Sequence, residues 1–208
     1  MNKKFSKFFW NGGIKLQKCH PIYEPDEKLH PFDVLYLYIK KINKNEGPKK
    51  RFLVFVKRTC VADFIAQKLS VYGIDAISIY SDKKDRDAVE KRNRLIGKFV
   101  NGDVHVLVAT QLISRGTDIE IDFVINYDLP RTYFDYIHRC GRTGRNQKTG
   151  TAISFVDFNN HDDYSPKVLQ KIVLNCKEIP PFLADFAESA KESYETEMEQ
   201  HNHLANMQ

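Results

Sequence analysis

Short apolar runs alternate along this chain with charged amphipathic stretches, and the alternation predicts an α/β domain, doubly wound, with a mainly parallel sheet and helices on both faces. Two further features point the same way. Phe52 to Val56 is continuously apolar, the pattern of a strand buried on both faces of a parallel sheet, and Val104 to Ala109 reads as another buried strand. The residues hardest to explain by packing, Thr110 and an arginine-rich stretch beyond Asp128-Leu129-Pro130, follow strands, where ligands of such sheets bind.

The elements follow in order. Residues 1–13 read as a leader ending in a glycine pair, and Ile14 to Cys19 alternates apolar and polar residues as a strand does. From Pro31 a helix is expected, with Phe32, Leu35, Ile39 and Ile42 on one face, ending before Asn45-Glu46-Gly47-Pro48. After the Phe52 strand, Thr59 is placed to cap a helix carrying Val61, Phe64, Ile65, Leu69 and Tyr72, which Gly73 stops. Ile74 to Tyr80 reads as a strand. Asp82 to Asn101 reads as a loop and a charged helix with Val89, Leu95, Ile96 and Phe99 as its apolar positions. Strands are expected at Phe123 to Tyr127 and Thr151 to Val156, then a helix with Tyr164, Val168, Leu169, Ile172 and Val173 inward. Pro180-Pro181 opens a last helical segment from Phe182 to about Glu188. The division expected is a leader (1–13), one domain (14–188) and a polar tail (189–208).

With 42% hydrophobic residues the chain can bury a sizeable core, and the signature of disorder is absent. The net charge of +5 favours polyanionic partners without requiring them. Cys19, Cys60, Cys140 and Cys176 show neither paired metal spacing nor a disulfide framework, so no metal is expected and a reducing compartment fits. No apolar run reaches the roughly 18 residues of a membrane span, so an intracellular protein, cytoplasmic or nuclear, is expected, with a monomer as the default.

Tyr136 to Arg145 reads Tyr-Ile-His-Arg-Cys-Gly-Arg-Thr-Gly-Arg. Gly141 and Gly144 weaken a helix, so Arg139, Arg142 and Arg145 need not project from one rigid rod. Guanidinium groups suit phosphate oxygens in fixed geometry. Taken alone, the stretch also fits a solvated basic helix end. Val108 to Ile119 puts the Thr110 hydroxyl at a strand end, followed by Arg115-Gly116-Thr117-Asp118. A hydroxyl or backbone N–H there can bind a phosphate and a carboxylate a ribose, while Arg115 and Asp118 could equally pair with each other.

Together these stretches resemble the second, C-terminal RecA-like domain of a DEAD-box RNA helicase. Phe52 to Val56 is similar to the family's fourth motif, Val108 to Ile119 to the fifth and His138 to Arg145 to the sixth, with Ile125 to Pro130 as the lead-in. Ile179-Pro180-Pro181-Phe182-Leu183 is similar to the ending of the Vasa-like subgroup. The resemblance implies that Arg142 and Arg145 are arginine fingers reaching the γ-phosphate of ATP, that Asp118 contacts the ribose, and that Gly116 lies beside the nucleotide. It implies that Thr110, Arg92 and Arg115 lie near RNA phosphates, and that His138 and Arg139 couple two domains. Tyr80-Ser81-Asp82 stands where the family has His-Gly-Asp, Arg58 where Thr is common, and Thr117 where Leu is usual.

The chain contains neither a Gly-x-x-x-x-Gly-Lys-Thr loop nor an Asp-Glu-Ala-Asp stretch. The resemblance therefore implies half of an enzyme: ATP shared with an N-terminal RecA-like domain that also holds Mg²⁺, RNA gripped mainly through its backbone, and no hydrolysis by this chain alone. A catalytically silent module on the same fold, binding RNA or a protein, is the alternative.

Overall fold

In the computed structural model the described residues are 3–10, 18–23, 30–44, 47–80, 88–110, 119–144, 150–157, 165–175, 184–185 and 187–189. Among them the chain begins with β1 (Lys3–Trp10) and β2 (Lys18–Tyr23), which pair antiparallel. Residues 3–10, read from the sequence as a leader, pair over their full length with the last strand, Lys3 opposite Asp157 and Trp10 opposite Gly150. The edge explains this. A terminal parallel strand leaves a row of N–H and C=O groups unpaired, and a segment of matching length satisfies them. Of the strand expected over Ile14 to Cys19, only Lys18 and Cys19 are described, both in β2.

Helix α1 (Pro31–Ile42) opens with Pro31, whose fixed φ suits the first helical turn. His30 caps it: its Nδ1 accepts from Phe32 N–H at 3.2 Å, while the Asp33 carboxylate accepts from His30 N–H at 3.2 Å. Strand β3 (Phe52–Phe55) is wholly buried. Helix α2 (Thr59–Val71) starts where expected, but Arg58 occupies the cap position without a side-chain bond, and Thr59 is already helical. Gly73, at φ +78°, ends it in the left-handed conformation that glycine adopts at no steric cost. Its inward positions are Ala62, Ile65, Ala66 and Leu69, whereas Phe64 and Tyr72, expected inside, are about half exposed.

Strand β4 (Ala76–Ile79) precedes helix α3 (Ala88–Asn101), which buries Ile96 and Phe99. Val89, expected on that face, is 60% exposed: the first turn stands clear of the sheet. Strands β5 (Val106–Ala109) and β6 (Phe123–Asn126), helix α4 (Tyr133–Cys140), strand β7 (Gly150–Asp157) and helix α5 (Ser165–Asn175) complete the order. Residues 184–185 and 187–189 are helical.

The sheet runs β2-β1-β7-β6-β3-β5-β4. Its five strands from β7 to β4 are parallel. Period-two alternation assigns the faces. In β3, Leu53 and Phe55 pack with Phe99, Tyr136 and Ile172 of α3, α4 and α5. Phe52 and Val54 pack with Leu35 and Ile65 of α1 and α2. Helices therefore cover both faces, as the sequence predicts, and each central strand carries apolar side chains on both. The connection from β3 leads toward β4 and that from β5 to the other side of β3, so β3 sits where strand order reverses. Among the described residues no helix is long and apolar enough to cross a membrane.

Phe99 is fully buried between α3 and the sheet. Phe99→Ala should destabilise the fold by about 3–5 kcal/mol, read as a lower urea midpoint at unchanged slope. A loss below about 1 kcal/mol would show that α3 packs loosely there.

Candidate functional site

Helix α4 carries the arginine-rich stretch, and its length decides where the arginines go. Eight residues at ~1.5 Å each span about 12 Å. Four residues of β6 at ~3.3 Å each span about 13 Å. The helix starts beyond the carboxyl end of β6 and returns toward the amino edge, its last turn still in contact with Asn126 and Asp128, and the turn after it reaches the residues that enter β6. The sequence expectation that the whole stretch lies outside the carboxyl ends holds only for its beginning.

At the carboxyl edge the chain is tied by Asp128. Its carboxylate accepts from Lys57 N–H at 2.8 Å, joining the ends of β3 and β6. Its carbonyl accepts from the Arg139 guanidinium at 2.9 Å. That guanidinium lies 4.8 Å from the centre of the Phe55 ring and is buried. Burial pushes its pKa down to about 10, with Asp135 and Asp128 opposing the shift, so it stays charged at neutral pH. Arg139 thus faces the domain interior. The Thr132 hydroxyl caps α4, accepting from Asp135 N–H at 3.1 Å. His138 is half-buried, its ring edge-on to the exposed Phe134 at 4.1 Å.

At the amino edge the helix ends with Gly141, whose N–H donates to Ile137 C=O at 2.8 Å. Arg142 and the buried Thr143 follow, and Gly144 takes φ +69°. The Thr143 hydroxyl is shared between the carbonyls of Ile121 and Asp122, at 2.7 and 2.9 Å. This pins the turn beside the residues entering β6. A Cβ at Gly150 would collide with Gly144 N and the Thr143 side chain, so only glycine lets β7 start that close to the turn. Arg142 N–H donates to Arg139 C=O at 3.1 Å and its side chain is half-buried.

Beneath α4, Asn126 of β6 is fully buried and donates to Ser154 Oγ at 3.2 Å and weakly to Cys140 Sγ at 3.9 Å. Sequence reasoning missed Asn126 and Thr143. A polar residue within an otherwise apolar strand is the signal that finds the first, and nothing local marks the second. Burial pushes the Cys140 thiol up to about 12, which makes it a packed group and a poor nucleophile.

Thr110, half-buried, directly follows β5 at the carboxyl edge. Arg92 lies in the first half of α3, which starts on that side, and its Nε is enclosed without a hydrogen-bond partner among the described residues. Lys57 and Arg58, exposed beyond β3, share this edge. Arg115, Gly116, Asp118 and Arg145 lie outside the described residues. Ile119, next to Asp118, is buried two residues before the Ile121 carbonyl that Thr143 holds. Among the described residues no cluster of three or more His, Cys, Asp or Glu could hold a metal ion.

Thr143→Val keeps the shape and removes the hydroxyl. It should cost about 1–3 kcal/mol in urea unfolding, because the buried Ile121 carbonyl loses its Thr143 donor while the Asp122 carbonyl keeps only the longer bond from Thr151 N–H. No change would mean that Thr143 does not hold the turn. Since the Cys140 thiol is protonated in the fold and ionises near its ordinary value when unfolded, it adds stability in full below about pH 9 that is lost between about pH 9 and 12. Cys140→Ala should flatten that alkaline decline in denaturation curves; an unaltered slope would assign it to other groups.

A family model described as the helicase conserved C-terminal domain matches residues 32–147. The Homo sapiens protein named probable ATP-dependent RNA helicase DDX4 is 40% identical over 149 residues, 71% of this chain and 20% of that protein. A rice protein (Oryza sativa subsp. japonica), DEAD-box ATP-dependent RNA helicase 35B, is 36% identical over 153 residues, 73% of this chain and 23% of its own. The chain thus spans about a fifth of the length of these relatives. Among solved structures, the C-terminal domain of the DEAD-box protein Dbp5 superposes with a TM-score of 0.55 at 30% identity, over 78% of this chain and 90% of that one. Dbp5 of S. cerevisiae bound to RNA and ADP BeF3 gives 0.56 at 30% identity, over 79% and 42%.

Proposed function

The chain belongs to the helicase C-terminal domain family of DEAD-box proteins, and we propose that it works as the second half of an ATP-dependent RNA helicase whose nucleotide-facing and RNA-facing groups lie on opposite edges of one sheet. The observation that carries this reading is the fixing of the Arg142 turn at the amino edge by Thr143, about a strand's length from Thr110 at the carboxyl edge.

Arg142, in the turn at the amino edge, acts as a finger together with Arg145, and Asp118, with Gly116, meets the ribose. A bound nucleoside triphosphate, held with its Mg²⁺ on a partner RecA-like domain, supplies the phosphoryl group that is transferred to water. The role of this chain is electrostatic. A guanidinium neutralises charge that grows on the transferred group, and it helps only if its position is set beforehand. The Thr143 bond and the close approach of Gly150 provide that setting. His138 and Arg139, one turn back, link the finger turn to the carboxyl edge and so couple the domains.

Thr110 and Arg92, at the carboxyl edge, contact RNA phosphates together with Arg115, joined by the exposed Lys57 and Arg58 of that edge. These groups read charge and the sugar-phosphate chain rather than base edges, so little sequence preference follows. Without a phosphate loop of its own, the chain has no turnover alone, and it works in an intracellular, RNA-containing compartment as one half of a monomeric helicase.

Arg142→Ala, placed in a helicase that carries this chain as its second domain, should lower RNA-stimulated ATP turnover by about 10³-fold or more while leaving RNA binding within a few-fold. Unchanged turnover would remove the finger assignment. It would favour the silent binding module.

A further inference from the structure

The amino ends of β4 and β5 face the C-terminal ends of α1 and α2 across a cleft of about 640 Å³. The volume lies within the range of small-molecule sites. Its ionisable lining is Lys40, Lys41, Lys44, Lys49, His105 and Asp75. Leu37, Ile39 and Ile74 supply an apolar wall.

Part of this charge has a structural cause. Lys40 and Lys41 stand in the last turn of α1, where cations offset the negative end of the helix dipole, and Lys40 also donates to the Tyr36 hydroxyl at 3.2 Å. Lys44 and Lys49 lie beyond that helix and serve no such end. The one carboxylate of the lining, Asp75, meets Lys49 at 3.9 Å, so four ammonium groups face a single acid. His105, which precedes β5, has an enclosed Nδ1 without a hydrogen-bond partner among the described residues. Burial and Lys49, with a smaller effect of Arg51, hold its imidazole below the usual range, and Asp75 opposes them. The cleft thus combines excess positive charge with an apolar wall, and His105 lies beside both. It lies on the α1/α2 face, whereas α4 packs on the other.

We propose that this cleft binds a small organic phosphate, its anionic group held by Lys41, Lys44 and Lys49 and its apolar body set against Leu37, Ile39 and Ile74. Lysines act as point charges that select charge rather than planar shape, so a phosphate on a compact apolar or ring body fits better than a geometrically demanding anion.

The probe is 1-naphthyl phosphate, titrated into the chain and followed by amide and imidazole NMR, with 1-naphthol and inorganic phosphate as controls. The expected result is saturable shifts at Gly73, Ile74, Asp75 and His105, with binding about tenfold tighter than either control. The His105 pKa should rise on saturation, because a nearby anion favours the imidazolium. Both Lys41 and Lys44 are exposed, so the double variant Lys41→Glu/Lys44→Glu should keep the remaining spectrum and weaken binding by about tenfold or more. Equal binding of 1-naphthol would reduce the site to an apolar groove. Insensitivity to the charge reversal would place the ligand elsewhere, and tighter binding of a glutamate-rich peptide at the same residues would make the cleft a protein-docking surface. Any of these three results overturns the proposal.

Discussion

The bond from the buried Arg139 guanidinium to the Asp128 carbonyl is the constraint on which the candidate site depends. It ties the last turn of α4 to the loop that leaves β6, against the Phe55 ring and directly beside the bond that joins β3 to β6. With that anchor α4 has one way to run, back along the strand it follows. The turn after it continues toward the amino edge, where the residues that enter β6 lie. Thr143 then closes the far end on the carbonyls of Ile121 and Asp122. Two arginines three residues apart therefore do unlike work: Arg139 is a buried strut, and Arg142 stands where the strut delivers it.

Burying a guanidinium is costly unless its donors are satisfied and its charge is partly offset. Here the carbonyl, the ring face and the nearby Asp128 and Asp135 share that task, yet the lowered pKa shows that desolvation still dominates. Rigidity follows from this arrangement, since the helix cannot rotate without leaving a buried charge unpaired. In electrostatic catalysis that rigidity is useful, because a charge already in position needs no reorganisation during the reaction. The polar contact between Asn126 and Ser154 beneath the helix adds a second reason for one register.

The architecture was legible because the apolar runs are short, uninterrupted and regularly spaced, and β3 to β7 fall within a residue or two of the expected bounds. What escaped is what sequence periodicity does not encode. β1 pairs with β7 through backbone groups whatever the side chains, so residues 3–10 looked like a leader. Phe64 and Tyr72 have helical spacing but lie on the side of α2 that meets Phe32 of α1, their rings 6.3 and 5.9 Å from it, and Val89 sits in a first turn that the sheet does not cover. The His30 cap went unread because histidine is an unusual cap, while Thr59, a good one, lies one residue inside the helix. At the candidate site, the resemblance nominates Thr110, Arg92, His138, Arg139 and Arg142, but their distribution over two edges follows from where β5 ends, where α3 starts and where Thr143 holds the turn after α4. Asp118, Gly116, Arg115 and Arg145 lie outside the described residues.

The division of the two edges is the centre of the account, and amide NMR of this chain titrated with a single-stranded RNA tests it most directly. The expected shifts lie around Lys57, Arg58, Arg92 and Thr110, growing with occupancy and weakening as salt rises, while Gly141 to Gly144 stay in place. Shifts centred on the Arg142 turn, with Thr110 and Arg58 silent, would contradict it: RNA would then occupy the edge assigned here to the nucleotide.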